Sequence, residues 1–188
     1  PYFDSDDADA LVNGDKTGIV VSIACHCGAW DQVPDGDCLA EHMVNRVGGG
    51  CIATVMNTRF GWGALNQQGQ DVPGPSERLD TTFFAGVLLY NKPHTGQALG
   101  YAKACWAPYA DSLYQYDMQR FCIYDLNLIG DPETQLWTDE PTALSVSHVG
   151  VVNIGNNIPY PVTVTTGLDV PVESAMVCLR KGDEVDLK

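Results

Sequence analysis

The chain is 188 residues long, enough for one ordinary domain and a remainder too short for a second large one. With 45% hydrophobic and 18% charged residues, its composition is that of a folded globular protein, which excludes a disordered segment. The 24 acids against 10 bases leave a net charge of -14, a surface that repels nucleic acid and anionic membranes, and no stretch approaches the roughly 18 apolar residues that span a bilayer.

The sequence opens Pro-Tyr-Phe-Asp, with neither a Met nor a signal peptide, and so reads as a processed piece or an excised segment. Nine of its first 41 residues are acids and one is a base, with the acids concentrated at positions 4–9. Such a run reads as a solvated loop. The alternative is a calcium site at Asp4, Asp6, Asp7 and Asp9, although the run lacks the glycine and closing glutamate of an EF-hand loop. A short helix is expected over residues 8–12, ending at Asn13-Gly14.

The β-branched run over residues 18–24 predicts a strand buried on both faces, as in a parallel sheet. It stops at Cys25-His26-Cys27-Gly28. Asp37 offers an N-cap to a helix over residues 38–46, with Leu39, Met43 and Val47 along one face. Residues 51–56 read as a second buried strand. Strand, helix and strand in that order make a right-handed βαβ unit with two parallel neighbours.

Residues 57–75 form a long loop rich in Gly, Asn, Gln and Pro, a length that marks functional loops in compact domains. Ser76 is expected to cap a helix reaching Tyr90, with Leu79, Phe83, Val87 and Tyr90 along one face. A second helix starts at Thr95 and is broken by Pro108, a third covers residues 109–120, and residues 121–129 look extended. After Glu140-Pro141 the composition shifts to Val and Thr. Strands near 143–148, 160–166 and 175–180 fit the start of a small β-sandwich.

Seven cysteines, at 25, 27, 38, 51, 105, 122 and 178, are odd in number and irregularly spaced, which excludes a fully paired scaffold. One or two disulfides with a free thiol and an all-thiol protein both fit. The acidity and the many Asn, Thr and Gly residues resemble secreted or cell-surface proteins, the compartment expected here. A cysteine at the end of a buried strand and before a glycine turn presents its thiolate in the open, where turn amides can hold an oxyanion, so Cys25 is the candidate nucleophile. Zinc held by Cys25, Cys27, Cys38 and His42 is the rival chemistry, against which the tight Cys-x-Cys spacing counts. Thiol chemistry requires no cofactor.

The segment Ile23-Ala24-Cys25-His26-Cys27-Gly28-Ala29-Trp30-Asp31 resembles the nucleophile segment of gingipain-like cysteine peptidases. The resemblance continues in order through Cys38-Leu39-Ala40-Glu41, Gly49-Gly50-Cys51-Ile52-Ala53, Trp62 with Gly69-Gln70-Asp71, and Leu128-Ile129-Gly130-Asp131-Pro132-Glu133. It implies a caspase-like α/β fold with a mostly parallel sheet flanked by helices. Residues 1–140 would be the C-terminal part of the peptidase domain, and residues 141–188 a truncated Ig-like β domain. It further implies an endopeptidase acting on protein or peptide substrates. Cys25 matches the nucleophile, Gly28 lies beside the expected oxyanion hole, and Trp62 resembles the aromatic lid over the substrate pocket. The family's general-base histidine precedes the nucleophile by some thirty residues, so the upstream remainder of the same protein is an expected partner. A non-catalytic surface or binding module with the same fold is the alternative.

Overall fold

The β-branched residues Ile19-Val20-Val21 form strand β1 (Ile19–Ser22), and the chain returns through helix α2 (Leu39–Asn45), preceded by the short α1 (Ser5–Asp9), to strand β2 (Ala53–Asn57). A computed structural model describes residues 2–31, 36–111, 116–150, 159–181 and 184–186. β1 and β2 run parallel, with Ile19 opposite Ala53 and Ser22 opposite Met56. This is the expected βαβ unit. β2 is buried along its whole length, whereas β1 is only half-buried, because among the described residues it has a ladder partner on one side alone.

The expectation of a mostly parallel sheet is corrected. The third strand, β5 (Leu126–Gly130), pairs antiparallel with β2, so the sheet is mixed, in the order β1-β2-β5. Helix α5 (Met118–Asp125) is the physical cause. It delivers the chain to the carboxyl end of β2, where the Thr58 amide donates to Asp125 O at 2.9 Å, so the strand that follows must descend. Residues 121–125, expected to be extended, belong to that helix. The Asp117 carboxylate accepts from the Gln119 amide at 2.9 Å, and Gln119 and Cys122 bury at helical spacing. Of the helix expected over 109–120, only a 3-10 turn at Ala107–Tyr109 and the start of α5 are present, and residues 112–115 lie outside the described ones.

Alternation along β2 divides the core. Val55 joins a cluster with Leu79, Phe83, Ala98, Cys122 and Leu126, contributed by α3 (Pro75–Leu89), α4 (Thr95–Trp106), α5 and β5. Met56 faces the other way, into Ala8, Cys38, Ala40, Met43 and Cys51 from α1, α2 and their flanks. Helices therefore cover both faces of the sheet. Within the expected loop, β3 (Ala64–Leu65) and β4 (Asp71–Val72) form a small hairpin.

Several caps shift from their expected places. The acidic run is a helical turn: the Asp4 carboxylate accepts from the amides of Asp6 and Asp7, and Asp7 returns the bond to the Asp4 amide. An aspartate N-cap followed by further acids suits a helix start, which is why α1 begins at Ser5 and not near Ala8. Cys38, one residue beyond Asp37, is the N-cap of α2, and its amide donates to Glu41 Oε2 at 2.9 Å. Val47 lies past the end of α2 and is exposed. Gly74 is the N-cap of α3, with Pro75 at the first helical position, leaving Ser76 inside the turn.

Contacts divide the chain into Pro1–Thr138 and Asp139–Lys188. The second unit contains β6 (Leu144–His148) paired antiparallel with β7 (Val162–Thr166), and β8 (Leu179–Lys181) paired with β9 (Glu184–Asp186). Asn156-Asn157, a pair whose residue types favour a turn between the strands, lies outside the described residues. Among the described residues no helix is long and apolar enough to cross a membrane.

Candidate active site

β1 ends at Ser22, and the next residues run over the carboxyl end of β2 without a ladder of their own. Asn57 supplies the missing bonds: its Nδ2 donates to Ile23 O at 2.8 Å and its carbonyl accepts from the Gly28 amide at 2.9 Å. Between these anchors the chain turns sharply. His26 takes φ +60°, a left-handed conformation that costs a non-glycine residue about 1–3 kcal/mol. The turn lifts Cys25 into solvent, with Sγ 3.8 Å from Gly61 O. No acceptor among the described residues is paired with the Cys25 amide.

Cys25, Cys27, Cys38, Cys51, Cys105 and Cys122 are free thiols. Their settings differ sharply. Cys38, Cys51 and Cys122 are buried, and burial pushes their thiols above the ordinary cysteine range, into the inert neutral form. Cys27 is half-buried and is likewise raised, chiefly by burial. Cys25 combines exposure with a place at the carboxyl end of a strand.

Gly28 is buried, and its amide is already given to Asn57 O, so it is not presented to Cys25. What the glycine supplies is close approach: a Cβ there would meet Met56 Cβ and Met56 O at 3.3 Å. Gly61 is tighter, since a Cβ there would stand 2.1 Å from Ile23 O and 2.7 Å from Asn57 Nδ2. The loop can pass over the thiol turn only because residue 61 has no side chain.

Trp62 is pinned from both sides by the first turn of α3. Its amide donates to Ser76 Oγ at 2.9 Å and its carbonyl accepts from the Ser76 amide at 3.1 Å. The indole is 38% exposed and borders a cavity of about 560 Å³, together with Phe60, Tyr116, Met118, Phe121 and Tyr124. Asp125 lies in the cavity wall at 5% exposure. Its Oδ1 accepts from Thr58 Oγ1 at 3.0 Å, while Oδ2 is buried without a hydrogen-bond partner among the described residues. Burial holds this carboxyl above the usual carboxylate range, against the opposing pull of the Thr58 hydrogen bond. The structure thus brings Cys25 and Trp62 to one loop, residues 57–62, and leaves Gly28 beneath it.

The residues of the rival chemistries do not converge. His42 Nδ1 lies 2.9 Å from Asp9 Oδ1, Cys38 caps α2, and the His26 ring packs edge-on against Phe60 at 4.6 Å. Asp4 and Asp7 use their carboxylates for helix capping. Among the described residues no three His, Cys, Asp or Glu side chains form a group able to hold a metal. Sequence reasoning missed Asn57, Arg59 and Asp125. The available signal was a lone polar residue closing each apolar strand pattern, Asn57 after Ala53-Thr54-Val55-Met56 and Asp125 before Leu126.

A helix-covered mixed sheet with an exposed thiol beyond the end of its parallel pair makes this an α/β domain. The sequence matches peptidase family C25 over residues 1–137, well over half of its length, and the chain belongs to that family. The crystal structure of the Arg-specific cysteine proteinase gingipain R is similar, with a TM-score of 0.61 and 15% identity, over 85% of this chain and 35% of that one. A second solved structure, described as a protease, gives a TM-score of 0.50 and 14% identity over 89% of this chain and 48% of its own. The chain therefore spans about a third to a half of these proteins. No curated protein matches the sequence.

Proposed function

We propose that residues 1–138 carry the nucleophile of a cysteine peptidase, with Cys25 as the attacking group. The observation that supports this most is the thiol turn itself: beyond the strand end, beside the left-handed His26, stands an exposed cysteine, while Cys38, Cys51 and Cys122 are buried. In the reaction the Cys25 thiolate bonds to the carbonyl carbon of a peptide, and the carbonyl electron pair moves onto oxygen. The Cys25 amide is a hydrogen-bond donor for that oxygen. As the C–N bond breaks, the amine leaves with a proton from an imidazolium, and water then hydrolyses the thioester to free the thiol. The imidazole belongs to a histidine outside residues 1–188, supplied by the remainder of the protein. Trp62 and Phe60 form the wall against which a substrate side chain rests.

On composition alone, we take the protein to be secreted or held at the cell surface, and we read the β6–β7 ribbon as opening an Ig-like domain.

Capture by a peptidyl acyloxymethyl ketone tests the reading. In the full-length protein, Cys25 is expected to be labelled far faster than the other cysteines, as mapped by mass spectrometry of tryptic peptides. Labelling of Cys25 no faster than Cys105 or Cys178 would remove the peptidase. A non-catalytic module is the second reading, favoured by one observation: the imidazoles near Cys25 in the chain are engaged elsewhere, His26 against Phe60 and His42 with Asp9.

A further inference from the structure

The segment that carries Cys25 is held by three residues that the thiol chemistry itself does not name. Asn57 is fully buried and grips both ends of the turn, through its side chain two residues before the thiol and through its carbonyl three residues after it. Its Oδ1 is buried without a hydrogen-bond partner among the described residues. A position serving packing alone would be better filled by an apolar side chain, since an orphan buried acceptor is costly. The amide is therefore retained for its donor.

Arg59 adds a second tier. Its carbonyl accepts from the His26 amide at 2.8 Å, at the residue next to the thiol. Its guanidinium takes the Asp31 carboxylate in a two-pronged grip, at 2.9 and 2.6 Å, and also donates to Thr58 O at 2.7 Å. The Arg59 hydrogen bonds hold the Asp31 carboxyl below its usual range, so the grip is ionic throughout the neutral region. Asp31 lies six residues past Cys25, which closes the far side of the turn onto the same loop.

We propose that Asn57 and the Arg59–Asp31 pair are positioning residues that set where the Cys25 sulfur stands relative to a bound carbonyl. The role rests on Cys25 being the nucleophile. Attack requires a near-attack geometry, and a displacement of about 1 Å is enough to lose roughly 100-fold in rate. A thiol on a left-handed turn with no ladder bonds of its own keeps its place only through what is anchored on either side.

The test compares the whole protein with its Asn57→Leu, Asp31→Asn and Asp31→Glu variants. The limiting rate and half-saturating concentration of Cys25 capture by the peptidyl ketone are measured for each. Asn57→Leu is expected to lower the limiting rate by about 100-fold. Asp31→Asn should lower it several-fold, and Asp31→Glu, which keeps the carboxylate, should recover most of that loss. Half-saturation should stay within about two-fold, because neither Asn57 nor Asp31 lines the cavity beside Trp62. Unchanged limiting rates in Asn57→Leu and Asp31→Asn overturn the proposal while leaving the nucleophile in place. Failure of the unaltered protein to capture the ketone at Cys25 removes the nucleophile and this role with it. Should Asn57→Leu expose Cys38, Cys51 and Cys122 to a small alkylating reagent, its fold is damaged. Asp31→Asn, a partly exposed surface change, then decides alone: a lowered limiting rate supports the positioning role and an unchanged one overturns it.

Discussion

Two regions meet at the carboxyl end of β2, and they handle polar groups in opposite ways. On the β1 side, the Cys25 turn is stitched by hydrogen bonds from Asn57 and Arg59, and its reactive atom is left in the open. On the β5 side, Asp125 is sunk into a wall rich in aromatic side chains, with Oδ1 bonded to Thr58 and Oδ2 buried without a hydrogen-bond partner among the described residues. The first region uses hydrogen bonds to fix its shape and keeps its functional group exposed. The second keeps its acid buried, held by the Thr58 amide and hydroxyl.

Truncating the core at the start of β5, where Leu126 packs with Val55, Leu79 and Phe83, gives the largest expected effect. Leu126 follows Asp125 and is 1% exposed, so Leu126→Ala should cost about 2–5 kcal/mol in urea unfolding. The Cys25 side should respond to a different change. In Gly61→Ala the new methyl would stand 2.1 Å from Ile23 O, which forces the 57–62 loop off the thiol turn. Overpacking of this kind costs about 1–3 kcal/mol, and capture of Cys25 should fall more than stability does. Equal capture rates in Gly61→Ala and the unaltered protein would show that the loop does not hold the sulfur.

The two regions also differ in how far the sequence announces them. The Cys25 turn is local: a β-branched run, a cysteine and a glycine within a few residues are enough to place it, and the βαβ order around it follows from periodicity. Even there the engagement of the Gly28 amide is not legible, because its bond to Asn57 O depends on a strand some thirty residues away. The Asp125 region is non-local. Its acid acquires meaning from Thr58, 67 residues earlier in the chain, and nothing in Phe121-Cys122-Ile123-Tyr124 signals that partner. The same distance hides the reversal of β5, since helical and extended readings of residues 121–129 are equally apolar until Asp117 caps α5. The acidic run at 4–9 fails for the opposite reason: its capping box is entirely local, and reading the charges as solvated overlooked it.

The buried acid makes a pH-dependent contribution whose sign follows from its shift. Burial raises the folded-state value of Asp125 above the ordinary carboxylate value of 3.8. Between those two values the folded chain binds more protons than the unfolded one, so stability falls as pH rises through that window. Asp125→Asn keeps an oxygen to accept from Thr58 and removes the charge. Urea unfolding from acid to neutral pH should show the variant losing less stability over that interval than the unaltered protein. A variant with the same slope would mean that Asp125 finds a counter-charge once ionised.

A third region, the contact between α1 and α2, calibrates both and carries the smallest effect. His42 lies beside Asp9 at 2.9 Å on an exposed surface, and the carboxylate raises the imidazole above 6.5, its ordinary value. A raised folded-state value contributes stability that is fully present below pH 6.5 and is lost as pH rises through the folded value. Solvent screens a pair this exposed, so the change in unfolding free energy should be close to the limit of measurement. The imidazole titration itself is the better readout. Asp9→Asn should move the His42 midpoint, followed by NMR, down toward 6.5 while leaving Cys25 capture untouched. If capture changed as well, the thiol turn would be coupled through α2 to the far side of the sheet, and the separation between a hydrogen-bonded turn and a packed acid would have to give way to a single cooperative unit.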